Sequence, residues 1–351
     1  MSRARTAGTA VLRTARGGLS LRLDRRAAAA AAGLLALALT AAVVLVGTGD
    51  YAIAPADVLR TLTGHGTPGQ DFVVRQLRLP RVVVALLVGA ALGMAGAAFQ
   101  SVARNPLGSP DVIGFGQGSA AGALTVIVLL HGSSYEVAAG AVAGGLLTGL
   151  AVYALAWRRG VQGYRLVLVG IGASAVLAAA NSYLLVKANF VDAARAVVWI
   201  TGSLDGRDWD EVWPLLAACA VLMPVLLGQG PALRLTEMGD DAAAALGVRV
   251  ERVRLTTVLA AVLLTAAATA AAGPIAFIAL TAPQLARRLT RSPGVSLLPS
   301  ALMGATLLVL ADLTAQHAFG PAQVPVGVAT GLLGGAYLLW LLTTERRSGR
   351  I

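Results

Sequence analysis

The chain has 351 residues, of which 57% are hydrophobic and only 13% are charged. Soluble domains carry about 25% charged residues, so a soluble globular protein of this size is excluded. The net charge of +11 does not indicate a nucleic-acid-binding protein, because the basic residues flank long charge-free runs and form no compact module. The composition predicts a polytopic membrane protein.

The charge-free runs predict the membrane spans in chain order. A helix needs about 20 mostly apolar residues to cross a bilayer. Seven runs fit one span each: Ala27–Gly49, Val82–Ala103, Val112–Tyr135, Val137–Trp157, Leu166–Val186, Val212–Leu233 and Ser292–Ala311.

Two further runs are longer than one helix needs. Leu255–Ala286 has arginines at both ends, which predicts a hairpin that turns at Gly273-Pro274. Leu313–Thr344 is interrupted by Gly320-Pro321 and Pro325, which leaves one span at about 325–342. The sequence therefore predicts an all-α protein with about ten transmembrane helices.

Basic residues orient the predicted spans. An even number of spans places both termini on one side, and the Arg-rich first 26 residues favour the cytoplasm. With this threading, 21 of the 28 basic residues lie on the cytoplasmic side. We expect a multi-pass protein of the cytoplasmic membrane with both termini in the cytoplasm.

Three regions follow from this threading: a cytoplasmic segment at 1–26, a transmembrane domain at 27–344, and a cytoplasmic tail at 345–351. The first segment and the run after it could be read as a secretory signal. That alternative is disfavoured, because Ala27–Gly49 is long for a signal peptide and no clear cleavage site precedes a soluble domain.

Several kinds of catalytic site are excluded by residue counts. The single lysine, Lys187, does not follow a glycine, so the chain has no phosphate-binding loop and is not its own ATPase. The single cysteine, Cys219, lies in an apolar run, where it is typical of a small buried side chain. His65, His131 and His317 are far apart. We expect a non-enzymatic protein without a cofactor or metal.

Glycines within the apolar runs indicate close helix packing. Glycines four residues apart place small residues on one helix face, where two backbones can approach closely. Four such pairs occur: Gly89/Gly93, Gly114/Gly118, Gly140/Gly144 and Gly145/Gly149.

Charged residues are absent from the centres of the predicted spans, and Asp312 lies near a helix end. Ion-coupled carriers commonly use an ionisable group within the membrane. The absence of such groups from the centres of the spans favours a transporter whose energy source lies outside the bilayer.

Four segments interrupt the apolar runs. They are Arg78-Leu79-Pro80-Arg81 with Arg104-Asn105-Pro106-Leu107-Gly108-Ser109-Pro110; Trp199–Leu204 with Trp209; Met238–Val248; and Gly273–Ile278 with Ala282–Arg287 and Val324–Val328. Together with ten spans, these segments resemble the FecCD family of ABC importer permeases, which move iron-siderophores, haem and cobalamin and have the type II importer architecture. The Arg-rich leader is similar to that of ferric catecholate-siderophore permeases.

The resemblance implies that 238–248 is a coupling helix that docks on an ATPase subunit. Acidic residues at its start and a glycine at its end are typical of a short helix. The residues implied are Gly239, Asp240, Asp241, Ala245, Leu246 and Gly247. From the residues alone, an ordinary amphipathic loop helix is an equal alternative.

Docking of an extracytoplasmic substrate-binding protein is implied for Arg78 and Arg81, which in similar permeases pair with glutamates of that protein. Interfacial anchoring is the alternative for both arginines. Gln316 and Gln323 stand where the family usually has charged residues, which implies different docking contacts.

A cytoplasmic gate is implied at two places. Asn105 and Leu107 match one gate segment, and Gly163 and Tyr164, in the loop that includes Gln162, match the second. Asn-Pro is also a good turn former without any gating role.

The function implied is that of a permease subunit of an ATP-driven, binding-protein-dependent importer of a ferric siderophore. The expected partners are ABC ATPase subunits, the binding protein, a second permease subunit and membrane lipid, but no nucleic acid. A haem or cobalamin importer remains an alternative. An ion-coupled secondary transporter and an intramembrane enzyme are the less favoured ones.

Overall fold

The computed structural model describes residues 9–13, 20–49, 51–110, 114–157, 163–292, 294–317 and 324–347. Two short strands precede fourteen α-helices in this part of the chain. Their bounds are β1 Thr9–Arg13, β2 Ser20–Asp24, α1 Arg25–Gly47, α2 Pro55–Leu62, α3 Pro68–Asp71, α4 Leu79–Ala103, α5 Phe115–Thr125, α6 Ser134–Ala156, α7 Gly163–Lys187, α8 Phe190–Thr201, α9 Trp209–Thr236, α10 Asp240–Ala245, α11 Val250–Ala272, α12 Ile278–Thr290, α13 Leu297–His317 and α14 Val326–Arg347. Two π-helical segments, Phe72–Arg78 and Val126–Leu130, extend α4 at its start and α5 at its end.

The all-α prediction is confirmed, and each predicted span coincides with a helix. Within the described residues, 7 helices are long and apolar enough to cross a membrane, and shorter apolar helices occupy Phe115–Leu130 and Val326–Trp340. The antiparallel pair of β1 and β2 lies before α1, in a segment for which the sequence predicts no strands.

The predicted hairpin at Gly273-Pro274 differs in detail. α11 ends at Ala272, but α12 begins only at Ile278, and the residues between them are not helical. Gly273 and Phe277 both have positive φ, and Pro274 has no backbone N–H to continue a helix. The 13 residues of α12 rise about 20 Å, which is less than the bilayer core of about 30 Å.

The sequence did not predict α8 as a helix. Asn189 caps its start by accepting a hydrogen bond from the Asp192 backbone N–H, at 2.9 Å. Gly202, with a φ of +78°, ends it. This short helix precedes the loop that leads into α9.

The centre of the bundle is α4, which packs against α9, α11, α12 and α13. A Cβ on Gly93 would overlap the Ser300 carbonyl of α13, and one on Gly96 would overlap the Ala279 carbonyl of α12. The same close approach joins α5 to α6, where Gly122 faces Gly140. The glycine pairs therefore do mark helix contacts, as predicted.

The long helices place polar residues at two opposite ends of the bundle. One end carries α10 and the turn after α4, and we call it the α10 end. The other carries α8, the start of α4 and the last turn of α13, and we call it the α8 end.

Candidate docking, gate and coupling sites

At the α8 end, Arg81 holds two carboxylates. Its Nε and Nη2 atoms donate to the two oxygens of Asp312, at 3.0 Å and 2.8 Å. Its Nη1 donates to Oδ1 of Asp205 at 3.3 Å. The ion pairs join the first turn of α4 to the last turns of α13 and to the loop between α8 and α9.

The two carboxylates differ in exposure. The Asp312 side chain is fully buried, and that of Asp205 is 68% exposed. The bidentate pair with Asp312 is therefore the stronger one, because water screens the exposed pair. Of the contacts of Arg81, the one with Asp205 is the easier to replace.

Arg78 lies within one helical turn of Arg81 but contacts a different part of the protein. Its guanidinium donates to the backbone oxygens of Val46 at 2.9 Å and Tyr51 at 2.8 Å. Arg78 thus holds the end of α1 and the chain that follows it.

Gln316 lies near Arg81 and contacts the same carboxylate. Its Nε2 donates to Asp312 Oδ2 at 3.1 Å, so the glutamine side chain binds the same buried carboxylate. Gln323 lies outside the described residues. Sequence reasoning missed Asp205 and gave Asp312 no role, although an acidic residue in an apolar span signals a buried partner.

At the α10 end, the turn after α4 is built around Asn105. Arg104 ends α4 in the left-handed conformation, with a φ of +50°. The Asn105 side-chain oxygen accepts from the Leu107 N–H at 2.9 Å, and its backbone oxygen accepts from the Gly108 N–H at 2.9 Å. Gln284 of α12 donates to the Pro106 oxygen at 2.9 Å. We call residues 104–108 the gate turn.

The second predicted gate segment lies at the start of α7. Gly163 is the first residue of that helix, Tyr164 is exposed, and Gln162 falls outside the described residues. Leu107 is also exposed. Within the described ranges, no hydrogen bond joins this segment to the gate turn.

The predicted coupling helix is present as α10, which is shorter than 238–248. Gly239 and Gly247 have positive φ and bound it on both sides. Ala243 is buried against the bundle, whereas Met238 and Leu246 are large apolar side chains that remain exposed. Asp241 and Ala245 lie on the exposed side of the helix.

Asp240 joins α10 to two longer helices. One of its oxygens forms an ion pair with Arg104 of the gate turn, and the other accepts from Arg254 Nη2 of α11 at 3.0 Å. Arg104 also donates to the Thr236 backbone oxygen at 2.8 Å. Partial burial acts to raise the pKa of Asp240, but Arg254 and Arg104 outweigh it and lower this pKa below its ordinary value.

A cavity of about 220 Å³ lies behind the gate turn. Gln100, Asn105, Glu237 and Arg287 are among its lining residues. Gln100 accepts from Arg287 Nη2 at 2.7 Å and donates to the Leu280 oxygen at 3.0 Å. The loss of water around Glu237 raises its pKa, and nearby Arg287 and Arg234 act to lower it. The cavity is therefore polar and tied to α12.

The described residues contain no group of three or more His, Cys, Asp or Glu that could hold a metal ion. Arg81 with Asp312, and Asp240 with Arg104 and Arg254, instead form ion pairs between elements of the bundle.

Several known proteins are similar to this chain in sequence or in fold. The profile of the FecCD transport family matches residues 34–344. The ferric enterobactin transport system permease of Escherichia coli is 48% identical over 300 residues, which cover 86% of this chain and 91% of that protein. An iron(3+)-hydroxamate import system permease of Bacillus subtilis is 38% identical, covering 84% and 90%.

A more distant relative and a solved structure also match most of this chain. The vitamin B12 import system permease of Escherichia coli is 33% identical, covering 90% of this chain and 94% of that protein. The solved structure of a metal-chelate type ABC transporter, in an inward-facing conformation, superposes with a TM-score of 0.80 at 28% identity. The match covers 90% of this chain and 98% of the chain in that structure.

Proposed function

Because this chain belongs to the FecCD transport family, we propose that it imports a ferric siderophore, delivered by an extracytoplasmic binding protein, with energy from separate ABC ATPase subunits. The observation that carries this proposal is the double ion pair of Asp240. It connects the predicted coupling helix directly to the gate turn and to α11.

The ATPase subunits are proposed to bind α10. Met238 is 71% exposed and Leu246 is 63% exposed, so two large apolar side chains project next to a helix of only six residues. Exposed apolar side chains of this kind mark interaction sites. A displacement of α10 would move Arg104 through Asp240, and the gate turn would follow.

The binding protein is proposed to dock at the α8 end, on the surface around Arg78, Arg81 and Gln316. Arg81 already holds Asp312, so an acidic side chain of the binding protein would replace Asp205, the exposed partner. This exchange keeps the buried pair intact. It also frees the loop between α8 and α9 from α4.

A second permease subunit, identical or homologous, is proposed to complete the transport pathway. Only 11% of the most apolar 18-residue stretch of α7 is buried, compared with 78% of that stretch in the segment that contains α4. The exposed surface of α7 is therefore proposed to contact the second subunit, and lipid surrounds the rest of the bundle. The chain is a multi-pass protein of the cytoplasmic membrane, and we propose that both termini and the α10 end face the cytoplasm.

A ferric siderophore is favoured as cargo because the ferric enterobactin permease is the more similar relative and the vitamin B12 permease is more distant. Haem and cobalamin remain the second candidate cargo. Ion coupling is less favoured, since Asp312, the acidic residue within α13, already holds an arginine.

The experiment is uptake of ⁵⁵Fe-labelled ferric enterobactin into proteoliposomes that contain this chain, its ATPase and its second permease, with the binding protein outside. We expect uptake that requires ATP inside the vesicles and loaded binding protein. Uptake that persists without ATP and collapses with the proton gradient would falsify the ABC mechanism. Uptake of cobalamin or haem, without uptake of ferric enterobactin, would show that the proposed cargo is wrong.

A further inference from the structure

A second cavity lies at the α8 end, and its rim includes Asp205 of the proposed docking surface. It has a volume of about 690 Å³ and lies among the starts of α6 and α9, the end of α11, and α8. Both α6 and α9 pack against α11, and the Tyr135 hydroxyl of α6 donates to Asp210 of α9 at the rim. Its volume falls within the range of about 300–1,000 Å³ typical of small-molecule sites.

The inner part of this cavity is apolar. Val142, Leu215, Ala267 and Ala270 are among its lining residues. Val142 is eight residues beyond the start of α6, which places it about 12 Å below the end of the bundle. The cavity therefore reaches into the hydrocarbon region of one membrane leaflet.

The rim of the cavity carries both signs of charge. Asp205 pairs with Arg81, and Glu211 pairs with Arg207. In the described part of the chain, Asp208 and Asp210 form no ion pair. The rim therefore has an excess of negative charge that suits a cationic group.

A single exposed cation lies on another part of the same rim. Arg195 of α8 lines the cavity and donates to the Gly132 oxygen at 3.0 Å. Tyr135 and Trp199 also line the cavity, and such aromatic residues are typical of the level of lipid headgroups.

We propose that this cavity binds phosphatidylethanolamine from the leaflet at the α8 end. The ammonium group meets Asp208 and Asp210, and the phosphate meets Arg195. The first part of one acyl chain occupies the apolar interior, because a cavity of about 690 Å³ is too small for both chains, and the remainder of the lipid lies in the bilayer. An anionic amphiphile would have only Arg195 and would be repelled by the two carboxylates. The proposal rests on the membrane placement in the proposed function but not on the cargo or the energy source.

Native mass spectrometry of the full chain in detergent tests this proposal. The protein is titrated with phosphatidylethanolamine, phosphatidylcholine and phosphatidylglycerol of identical acyl chains. The primary ammonium group of phosphatidylethanolamine can donate hydrogen bonds to the two carboxylates, whereas the choline group of phosphatidylcholine has no N–H to donate. We therefore expect one phosphatidylethanolamine to be retained in preference to both others. Equal retention of the three lipids, or a preference for phosphatidylglycerol, overturns the proposal.

Two sets of variants locate the lipid. Asp208→Asn and Asp210→Asn should each weaken phosphatidylethanolamine binding by up to about fivefold, since each removes one exposed charge contact. Asp208 caps the start of α9 by accepting a hydrogen bond from the Asp210 N–H at 2.7 Å, and Asn caps helices about as well, so α9 should still form. Ala270→Phe fills the cavity and should abolish retention, whereas Ala139→Phe, on an exposed position of α6 outside the cavity lining, should not.

Unchanged lipid preference in both Asn variants contradicts the proposal even if Ala270→Phe fails to fold. Retention that survives in a folded Ala270→Phe protein places the lipid elsewhere and also contradicts it. A chain that binds phosphatidylethanolamine as expected but supports no ATP-driven uptake leaves the cavity assignment standing and removes the proposed function.

Discussion

The Arg81 guanidinium binds both oxygens of Asp312, a carboxylate with no exposed surface, across 231 residues of sequence. The pair fixes the start of α4 to the end of α13 at the end of the bundle where a binding protein is proposed to dock. Arg81 is therefore a structural residue as well as a candidate docking residue.

We predict that Asp312→Asn destabilises the protein strongly. The substitution leaves Arg81, whose side chain is only 18% exposed, without its buried partner, which costs roughly 3 kcal/mol. Thermal unfolding in detergent measures the effect. Gln316→Ala removes one neutral donor to the same carboxylate and should cost only about 1 kcal/mol. Equal effects of the two variants would show that the ion pair with Arg81 stabilises the protein no more than the hydrogen bond from Gln316 does.

We predict that Asp205→Asn strengthens the docking of the binding protein. It removes the exposed competitor for Arg81 Nη1, and an exposed pair contributes up to about 1 kcal/mol, or about fivefold in Kd. Surface plasmon resonance with the permease in nanodiscs measures this. Asp57→Asn, which breaks the exposed pair with Arg60 on α2, is the control and should leave Kd unchanged. A weaker complex with Asp205→Asn would contradict the exchange model.

We predict that Asp240→Asn uncouples ATP hydrolysis from transport. The neutral amide loses its charged contacts with Arg104 and Arg254, so movement of α10 no longer carries the gate turn with it. ATP turnover and uptake are measured in the same proteoliposomes, and we expect uptake per ATP to fall at least about tenfold, which corresponds to about 1.4 kcal/mol.

Asp241→Asn is the matched control for this variant. It changes the neighbouring carboxylate, which is exposed and forms no ion pair among the described residues. Uptake per ATP should stay near that of the unaltered protein. If both variants lose coupling to the same extent, the loss reflects the acidic start of α10 and not the contact with the gate turn.

We predict that the Asp240 contacts do not change between pH 5.5 and 8. The pKa of Asp240 is lowered in the folded protein, so the stabilisation that its charge provides is complete above the unfolded value of about 4. That stabilisation is lost only as the pH falls through the lowered pKa. The ratio of coupling in Asp240→Asn to that in the unaltered protein should therefore be constant over this range.

We predict that Gly96→Ala disrupts the bundle, since a Cβ there overlaps the Ala279 carbonyl of α12. Gly228→Ala on α9 adds a methyl group in open space and should be neutral or stabilising by up to about 1 kcal/mol. The yield of monodisperse protein and its unfolding temperature distinguish the two. A tolerated Gly96→Ala would mean that α4 and α12 can separate at little cost.

The sequence predicts the helices and their glycine contacts well, because charge-free runs and small residues are local signals. It did not predict the late start of α12, since Phe277 gives no local sign of its positive φ. It does not predict α8, because the 12 residues of this helix are too few to cross a bilayer.

The ion pairs at the two ends of the bundle can be predicted only in part from the sequence. The sequence predicts roles for Arg81 and Asp240 but not their ion pairs, because the partners Asp312, Asp205, Arg104 and Arg254 are not their neighbours in sequence. Pairing between helices depends on tertiary packing, which spacing along one chain does not encode. The docking, gate and coupling roles and the part played by Gln323 remain predictions. The first three residues of the tail predicted at 345–351 belong to α14, which extends to Arg347.

The long separation of Arg81 and Asp312 has a consequence for biosynthesis. During translation, α4 enters the membrane well before Asp312 is made, so Arg81 has only the exposed carboxylate of Asp205 as an acidic partner until α13 inserts. The contact with α13 is also the last of the contacts that α4 makes with α9, α11, α12 and α13. A nascent chain that stalls before α13 should therefore present an arginine without its buried carboxylate, a feature by which membrane quality control can recognise an incomplete permease.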